Sequence, residues 1–325
     1  KGFNSHGVIA VKGGEASPRD IERALDAAKA VAIPLDREVI HILPQEYIVD
    51  DQRGIADPMG MAGVRLEVKV HIVTGAVTSA QNIVRSCHKS GLDVSDIVLE
   101  SLASAKAVLT EEEREIGVAL IDLGGGTCDI AIFANDSIKH TGVLALGGQN
   151  LTNDIAFGLR TPMAAAEKIK IKHGAAIAEM VRPDEYIEVP SVGGREPRRL
   201  SRQVLAEICE PRMEEILTLL DQELVRSGLK NMIGAGVVLT GGTALIQGCQ
   251  ELGEQVFNLP TRIGYPRNVG GLKDMVNSPK FATAMGLLRF GAEKEGMEQK
   301  FRIRSDGNVF NSILSRMKKW FSEIS

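Results

Sequence analysis

Aromatic side chains make up only 4% of the 325 residues, with one Trp and three Tyr, so stacking platforms for bases or glycans are scarce. The cysteines Cys87, Cys128, Cys209 and Cys249 stand dozens of residues apart, with no CxxC redox pair and no zinc knuckle, which fits a reduced cytosolic protein. No apolar run approaches the roughly eighteen residues that span a bilayer, and the N-terminal stretch has no signal-peptide core. Neither sign of charge dominates: 38 Lys and Arg against 42 Asp and Glu give −4, with no counterion-release drive toward nucleic acid, which is excluded as a partner. His6, His41, His71, His88, His140 and His173 show no ligand spacing, so no metal is assigned to histidine. What is present is an ordinary globular composition, 44% hydrophobic and 25% charged, long enough for two domains or one lobed domain.

Residues 17–31 read as a helix, with Ser17 as N-cap, Pro18 at the first helical position and Asp20 in the first turn. In 63–73, Val64, Leu66, Val68, Val70 and Ile72 alternate with Arg65, Glu67, Lys69 and His71, the period of a half-buried strand. With the apolar stretch 39–43 they outline a small α+β unit ending near Val73, and the Asp, Gly and Pro density of 50–61 marks a loop within it. A helix over 79–89 closes on Gly91, and a second is expected over 100–112. The apolar, β-branched segments 118–123, 127–133 and 138–146 then form two consecutive hairpins. Helices follow over 150–159, 162–173 and 201–226, and 237–240 is a short buried strand running into Gly241, Gly242 and a further helix.

The most specific local signal is Ile121-Asp122-Leu123-Gly124-Gly125-Gly126-Thr127-Cys128-Asp129, a glycine turn between apolar strands with an acid just before it. It matches neither GxxxxGKS nor GxGxxG, and its strand-hairpin-strand setting differs from the strand-to-helix context of both. Three residues without Cβ let successive backbone N–H groups converge on a phosphate oxygen, while Asp122 suits Mg²⁺ held through water. The alternative is a tight hairpin and nothing more. The second signal, Thr240-Gly241-Gly242-Thr243, ends a buried strand where a flat ring or a phosphate can lie against backbone, though many α/β proteins carry a glycine pair there.

Together the two motifs resemble the second phosphate motif and the adenosine motif of the actin-like ATPase superfamily. That resemblance implies ATP in a cleft between two lobes, with Gly124, Gly125, Gly126 and Thr127 along the phosphates and Gly241, Gly242 and Thr243 along the adenosine. Ala166-Glu167-Lys168-Ile169-Lys170 looks like the superfamily's helix beside adenine and ribose, which implies roles for Glu167 and Lys170; the alternative is an exposed charged face. Glu100 lies where relatives carry an acid or amide that orients water, with an ordinary first-turn acid as its plain alternative.

In detail the chain resembles the FtsA family of bacterial cell-division proteins. The carrying segments include His41-Ile42-Leu43-Pro44-Gln45-Glu46-Tyr47, Leu109-Thr110-Glu111-Glu112-Glu113-Arg114-Glu115, Pro190-Ser191-Val192-Gly193-Gly194-Arg195 and Leu205-Ala206-Glu207-Ile208-Cys209-Glu210-Pro211-Arg212. The resemblance implies an α/β, actin-like, two-lobed ribonuclease-H-like fold with an FtsA-type 1C subdomain. It divides the chain into a 1C-type unit over 1–73, part of subdomain 1A over 74–112, subdomain 2A over 113–160 and 232–277, and subdomain 2B over 161–231. A returning 1A helix over 278–292, a linker over 293–308 and a terminal helix over 309–325 complete it. The superfamily's first phosphate motif has no counterpart here, so the chain is expected to be truncated at its N-terminus, which puts ATP affinity and turnover in question.

Val309, Phe310, Ile313, Leu314, Met317, Trp320, Phe321 and Ile324 recur at the spacings of one helical face, with Arg316, Lys318 and Lys319 on the other. A basic amphipathic helix carrying the only Trp suits an anionic bilayer interface, and the resemblance implies a membrane-targeting helix at this place; docking onto the lobes is the alternative. The resemblance further implies self-association into filaments, binding of the FtsZ C-terminal tail near Arg262, Arg267, Asn268 and Lys273, and recruitment of later division proteins to the cytoplasmic face of the membrane at the septum. Such a chain is a scaffold, at most a slow ATPase. A pilus-assembly adaptor and a metabolite kinase of the same fold are the rivals. The first should lack the amphipathic terminus, and the second needs a carboxylate base beside a polyol pocket, for which the sequence offers no separate candidate.

Overall fold

The computed structural model describes residues 1–268 and 276–304. The first unit is a four-stranded antiparallel sheet in the order β1-β4-β2-β3, formed by β1 (Gly2–Ala10), β2 (Arg37–Val49), β3 (Gln52–Ile55) and β4 (Arg65–Ala76). Helix α1 (Pro18–Lys29) packs on it. Its start is a capping box in which Ser17 and Asp20 satisfy each other's backbone N–H groups. Alternation along β4 buries Leu66, Val68, Val70 and Ile72 against Ala24, Ala28, Tyr47 and Val49. The stretch read as loop over 50–61 contains β3, because Asp50 takes a positive φ of 53° and turns the chain back on β2.

The second sheet runs β11-β10-β5-β6-β7, from β5 (Val118–Leu123), β6 (Cys128–Ala134), β7 (Ser137–Leu144), β10 (Val237–Thr240) and β11 (Thr261–Ile263). The two hairpins are antiparallel, whereas β10 lies parallel to both β5 and β11. Both faces are covered, so β5 is buried throughout. Ala119, Ile121 and Leu123 face a core shared with α5 (Gly148–Gly158), α6 (Met163–His173), α7 (Arg202–Arg226) and α8 (Cys249–Phe257). Val118 and Leu120 face α3 (Glu100–Val108) and the long α9 (Ala282–Arg304). A small ribbon, β8 (Tyr186–Val189) with β9 (Arg198–Ser201), lies beside α6. Helix α2 (Val77–Lys89) leads out of the first unit.

The segment read as one helix over 100–112 is two. Helix α3 stops at Val108, and α4 (Glu111–Ile116) restarts behind a capping box between Thr110 and Glu113, with hydrogen bonds of 2.9 and 3.0 Å. The glycine pair after β10 leads into a single 3-10 turn, Thr243–Leu245, before α8, rather than directly into a helix. The segment read as linker from residue 293 is a continuation of α9 as far as Arg304. Helices α3 and α9 cross at backbone contact: a Cβ added to Gly286 would lie 1.8 Å from the Ala103 carbonyl oxygen.

The first unit meets β7 through polar contacts. Gln45 donates to the Ile138 carbonyl at 2.7 Å, and Asn4 Nδ2 to that of Lys139 at 3.4 Å, leaving Asn4 Oδ1 to accept from His71 Nδ1 at 2.6 Å. His71 Nε2 lies 2.9 Å from the Thr141 hydroxyl, which donates to it when the buried ring is neutral. Desolvation, followed by the field of His140, pulls its pKa down to about 4.

Candidate functional site

Strand β5 delivers Asp122 and the turn 124–127, and parallel pairing sets Thr240 of β10 opposite Asp122, so both glycine motifs emerge side by side. The turn closes through a 3.0 Å hydrogen bond from Gly124 N–H to the Thr127 carbonyl. The first turn of α5 is laid against it: Gly148 N–H donates to the Gly124 carbonyl at 3.0 Å and Gln149 N–H to the Gly125 carbonyl at 2.7 Å. A Cβ on Gly147 would sit 2.7 Å from the Gly125 carbonyl oxygen, so only glycine permits this approach. Because a trans peptide points its C=O and N–H in opposite directions, these bonds aim the N–H groups of Gly125 and Gly126 away from α5. Those two N–H groups have no hydrogen-bond acceptor among the described residues, and the positions a Cβ would take at Gly125 and Gly126 are open for 4 Å. Unpaired successive N–H groups beside open space are what an anion nest requires.

Gly241, at φ +88°, is pressed against Asp122, and Thr243 donates its hydroxyl to the Gly124 carbonyl at 2.9 Å. Gly242 follows in the same loop, where a Cβ would make only ordinary contact with Lys280 Cβ at 3.9 Å. On α6, Glu167 and Lys170, expected beside the nucleoside, form a network with α5 rather than the exposed charged face that was the alternative. Lys170 is buried, and its ammonium donates to the Gly148 carbonyl at 2.9 Å and the Thr152 hydroxyl at 2.8 Å, and pairs with Glu167 at 2.8 Å. Thr152 also donates to Glu167. Desolvation pushes the Glu167 carboxyl up, but hydrogen bonds from Lys170 and Thr152 and the Lys170 charge outweigh it and hold it below the usual range.

Asp122 is buried, accepts from Ser104 at 2.6 Å and Thr283 at 3.4 Å, and is raised by desolvation against the pull of those hydroxyls. Asp129 is raised by desolvation and by Asp122, with Thr127 donating to it at 3.2 Å. Glu100, open to solvent as a residue, has its carboxyl raised first by desolvation, then by Asp129 and Asp122, against a hydrogen bond from Thr283. No cationic side chain stands among the causes of these three shifts, so a divalent cation would relieve their mutual repulsion. Among the described residues no three His, Cys, Asp or Glu side chains are grouped so as to hold a metal ion directly.

Arg262, expected at a partner surface, is committed within the chain: its guanidinium grips Glu113 at 2.6 and 2.8 Å and the Val108 carbonyl at 3.0 Å. Arg267 and Asn268 are exposed on a charged cleft of about 430 Å³ shared with Lys106, Glu111, Glu112 and Arg289. Lys273 and the terminal residues Phe310 to Phe321 lie outside the described residues. Ser104, Thr152, Thr283 and the Gly147–Gly148 pair are site residues that the motif reading omits. The glycine pair ahead of an apolar helical run carries a local signal, and the hydroxyls carry none.

Two family models match the chain, "Cell division protein FtsA" over residues 119–286 and "SHS2 domain inserted in FTSA" over residues 1–74. The cell division protein FtsA of Pseudomonas aeruginosa is 50% identical over 326 residues, covering 98% of this chain and 78% of its own length. Those of Neisseria meningitidis and Escherichia coli K12 are 44% and 41% identical, each over 98% of this chain and covering 78% and 77% of their own lengths. Among solved structures, the PilM–PilN type IV pilus biogenesis complex matches with a TM-score of 0.58 at 15% identity, covering 89% of this chain and 76% of that one. MreB5 of Spiroplasma citri bound to ADP matches with 0.53 at 20%, covering 69% and 68%. The structural likeness shows an actin-like two-lobed fold, and the identities across nearly the whole chain settle the rest: it belongs to the FtsA family of cell-division proteins.

Proposed function

We propose that the cleft binds adenine nucleotide with Mg²⁺, and that the protein is a nucleotide-dependent division scaffold that polymerises, holds FtsZ filaments at the membrane and recruits later division proteins. The observation that carries the nucleotide reading is the Gly124 carbonyl, on which Gly148 of α5 and Thr243 of the second glycine loop converge within 3.0 Å. That node joins two motifs 119 residues apart and leaves the turn's N–H groups free for an anion. The MreB5 structure of the same fold is bound to ADP, which supports the ligand class. When bound, Mg²⁺ would neutralise phosphate charge; Asp122 and Asp129 would hold its waters, and Glu100, with a raised carboxyl pKa, would orient a water at the cleft mouth. Glu167 and Lys170 would flank the nucleoside from α6.

No helix among the described residues is long and apolar enough to cross a membrane. The proposed attachment is the amphipathic face of Phe310, Ile313, Leu314, Met317, Trp320 and Phe321, with Arg316, Lys318 and Lys319 toward anionic headgroups at the cytoplasmic face of the septum. Arg267 and Asn268, on the charged cleft, remain candidates for the FtsZ tail. Calorimetric titration with Mg-ADP tests the nucleotide reading, and absence of binding would remove it. Cosedimentation with vesicles containing anionic lipid, before and after deletion of 309–325, tests the anchor; a truncated protein that still sediments would refute it.

A further inference from the structure

We propose that Thr243 is a positioning residue that couples the two glycine loops, so that the cleft engages phosphate chain and nucleoside as one unit; this rests on the nucleotide reading above. Thr243 is buried, and its hydroxyl proton is given to the Gly124 carbonyl at 2.9 Å. The hydroxyl is wedged in place: a Cβ on Gly148 would come within 2.4 Å of Thr243 Oγ1. The Gly124 carbonyl oxygen has two lone pairs, and Gly148 N–H and the Thr243 hydroxyl fill them both.

The orientation of the Gly124 peptide plane is therefore set from two sides, and that plane carries the Gly125 N–H on its opposite edge. Removing the hydroxyl leaves the Gly148 N–H as the one remaining donor to the Gly124 carbonyl and loosens the plane. An anion would then have to order the donor that the second loop now orders in advance. Thr243 thus acts on the phosphate end of a ligand through the turn, although its own loop lies at the nucleoside end. A residue touching the nucleoside directly would weaken nucleoside and nucleotide alike.

The experiment titrates full-length parent, Thr243→Val, Thr243→Cys and Thr243→Ser proteins with Mg-ADP and with adenosine by calorimetry. Thr243→Val should lose roughly tenfold in Mg-ADP affinity, the loss of about one hydrogen bond, while adenosine affinity stays within about twofold. Thr243→Ser should restore Mg-ADP binding. Thr243→Cys, a weaker donor of similar bulk to Ser, should fall between and stands in if the Val variant does not fold. Equal losses for both ligands, or Val and Ser variants that bind Mg-ADP alike, would overturn the coupling and leave the nucleotide reading intact. A parent that binds neither ligand would overturn both.

Discussion

Two glycine substitutions, one in each of the adjoining loops, should separate folding from binding. Gly241 sits at φ +88°, and a Cβ there would lie 2.4 Å from Asp122 Oδ1 and 2.5 Å from the Leu123 carbonyl oxygen. A left-handed backbone costs an L side chain about 1–2 kcal/mol, and forcing extra volume into a packed site adds about 1–3 kcal/mol. Gly241→Ala is expected to destabilise by about 2–5 kcal/mol. At Gly125, by contrast, nothing stands within 4 Å of the Cβ position and φ is not in the left-handed range. Gly125→Val should therefore keep stability within about 1 kcal/mol of the parent. Its side chain would occupy the space over the turn's N–H groups, and Mg-ADP affinity should drop at least about tenfold. Urea denaturation and calorimetric titration of both variants provide the readout. A Gly241→Ala protein as stable as the parent would mean that the loop does not press on Asp122, and a Gly125→Val protein with full affinity would reduce the turn to a hairpin.

His71 makes the seam between the first unit and β7 sensitive to acid. Its folded pKa of about 4 lies below the ordinary 6.5, so the unfolded chain takes up the proton first. Stability is complete above about pH 6.5 and falls toward pH 4, by at most about 3 kcal/mol. His71→Gln should flatten that part of the urea-midpoint profile, and superimposable pH profiles would disprove the assignment. Lys170→Met should destabilise by about 2 kcal/mol, since it strips a buried donor from Gly148, Thr152 and Glu167, discounted for the exposed side of Glu167. Glu167 has a depressed carboxyl pKa, so this loss is present above the ordinary carboxylate range and shrinks as pH falls through the folded value. Unchanged urea midpoints at pH 7 would show the network to be idle.

The legible parts of the sequence were those in which chemistry is local. The triple glycine between β-branched strands, the Ser17 and Asp20 pair at the start of α1, and the alternation of β4 each fix their structure within a few residues. Thr110 and Glu113 also have capping-box spacing, but an unbroken helical pattern over 100–112 masks it. Other features depend on distant partners. Ser104 reaches Asp122 across 18 residues and Thr283 reaches it across 161, so no window reveals them. Lys170 looks solvated because charged residues on a helix usually are; only the approach of α5 buries it. Arg262 likewise reads as surface until α4 is seen to supply Glu113. The stretch after residue 293 looks like linker for want of an apolar period, although its Glu, Lys, Gln and Met residues favour helix.

The crossing of α3 and α9 at Gly286 leaves no side-chain cushion between the two backbones, so neither helix can slide without carrying the other. Each also lends a hydroxyl to the carboxylate at the head of the glycine turn, Ser104 from the first and Thr283 from the second. From Ala282 to Arg304 the helix extends about 33 Å. It is a single rod whose inner end, at Thr283, rests on the carboxylate of the cleft.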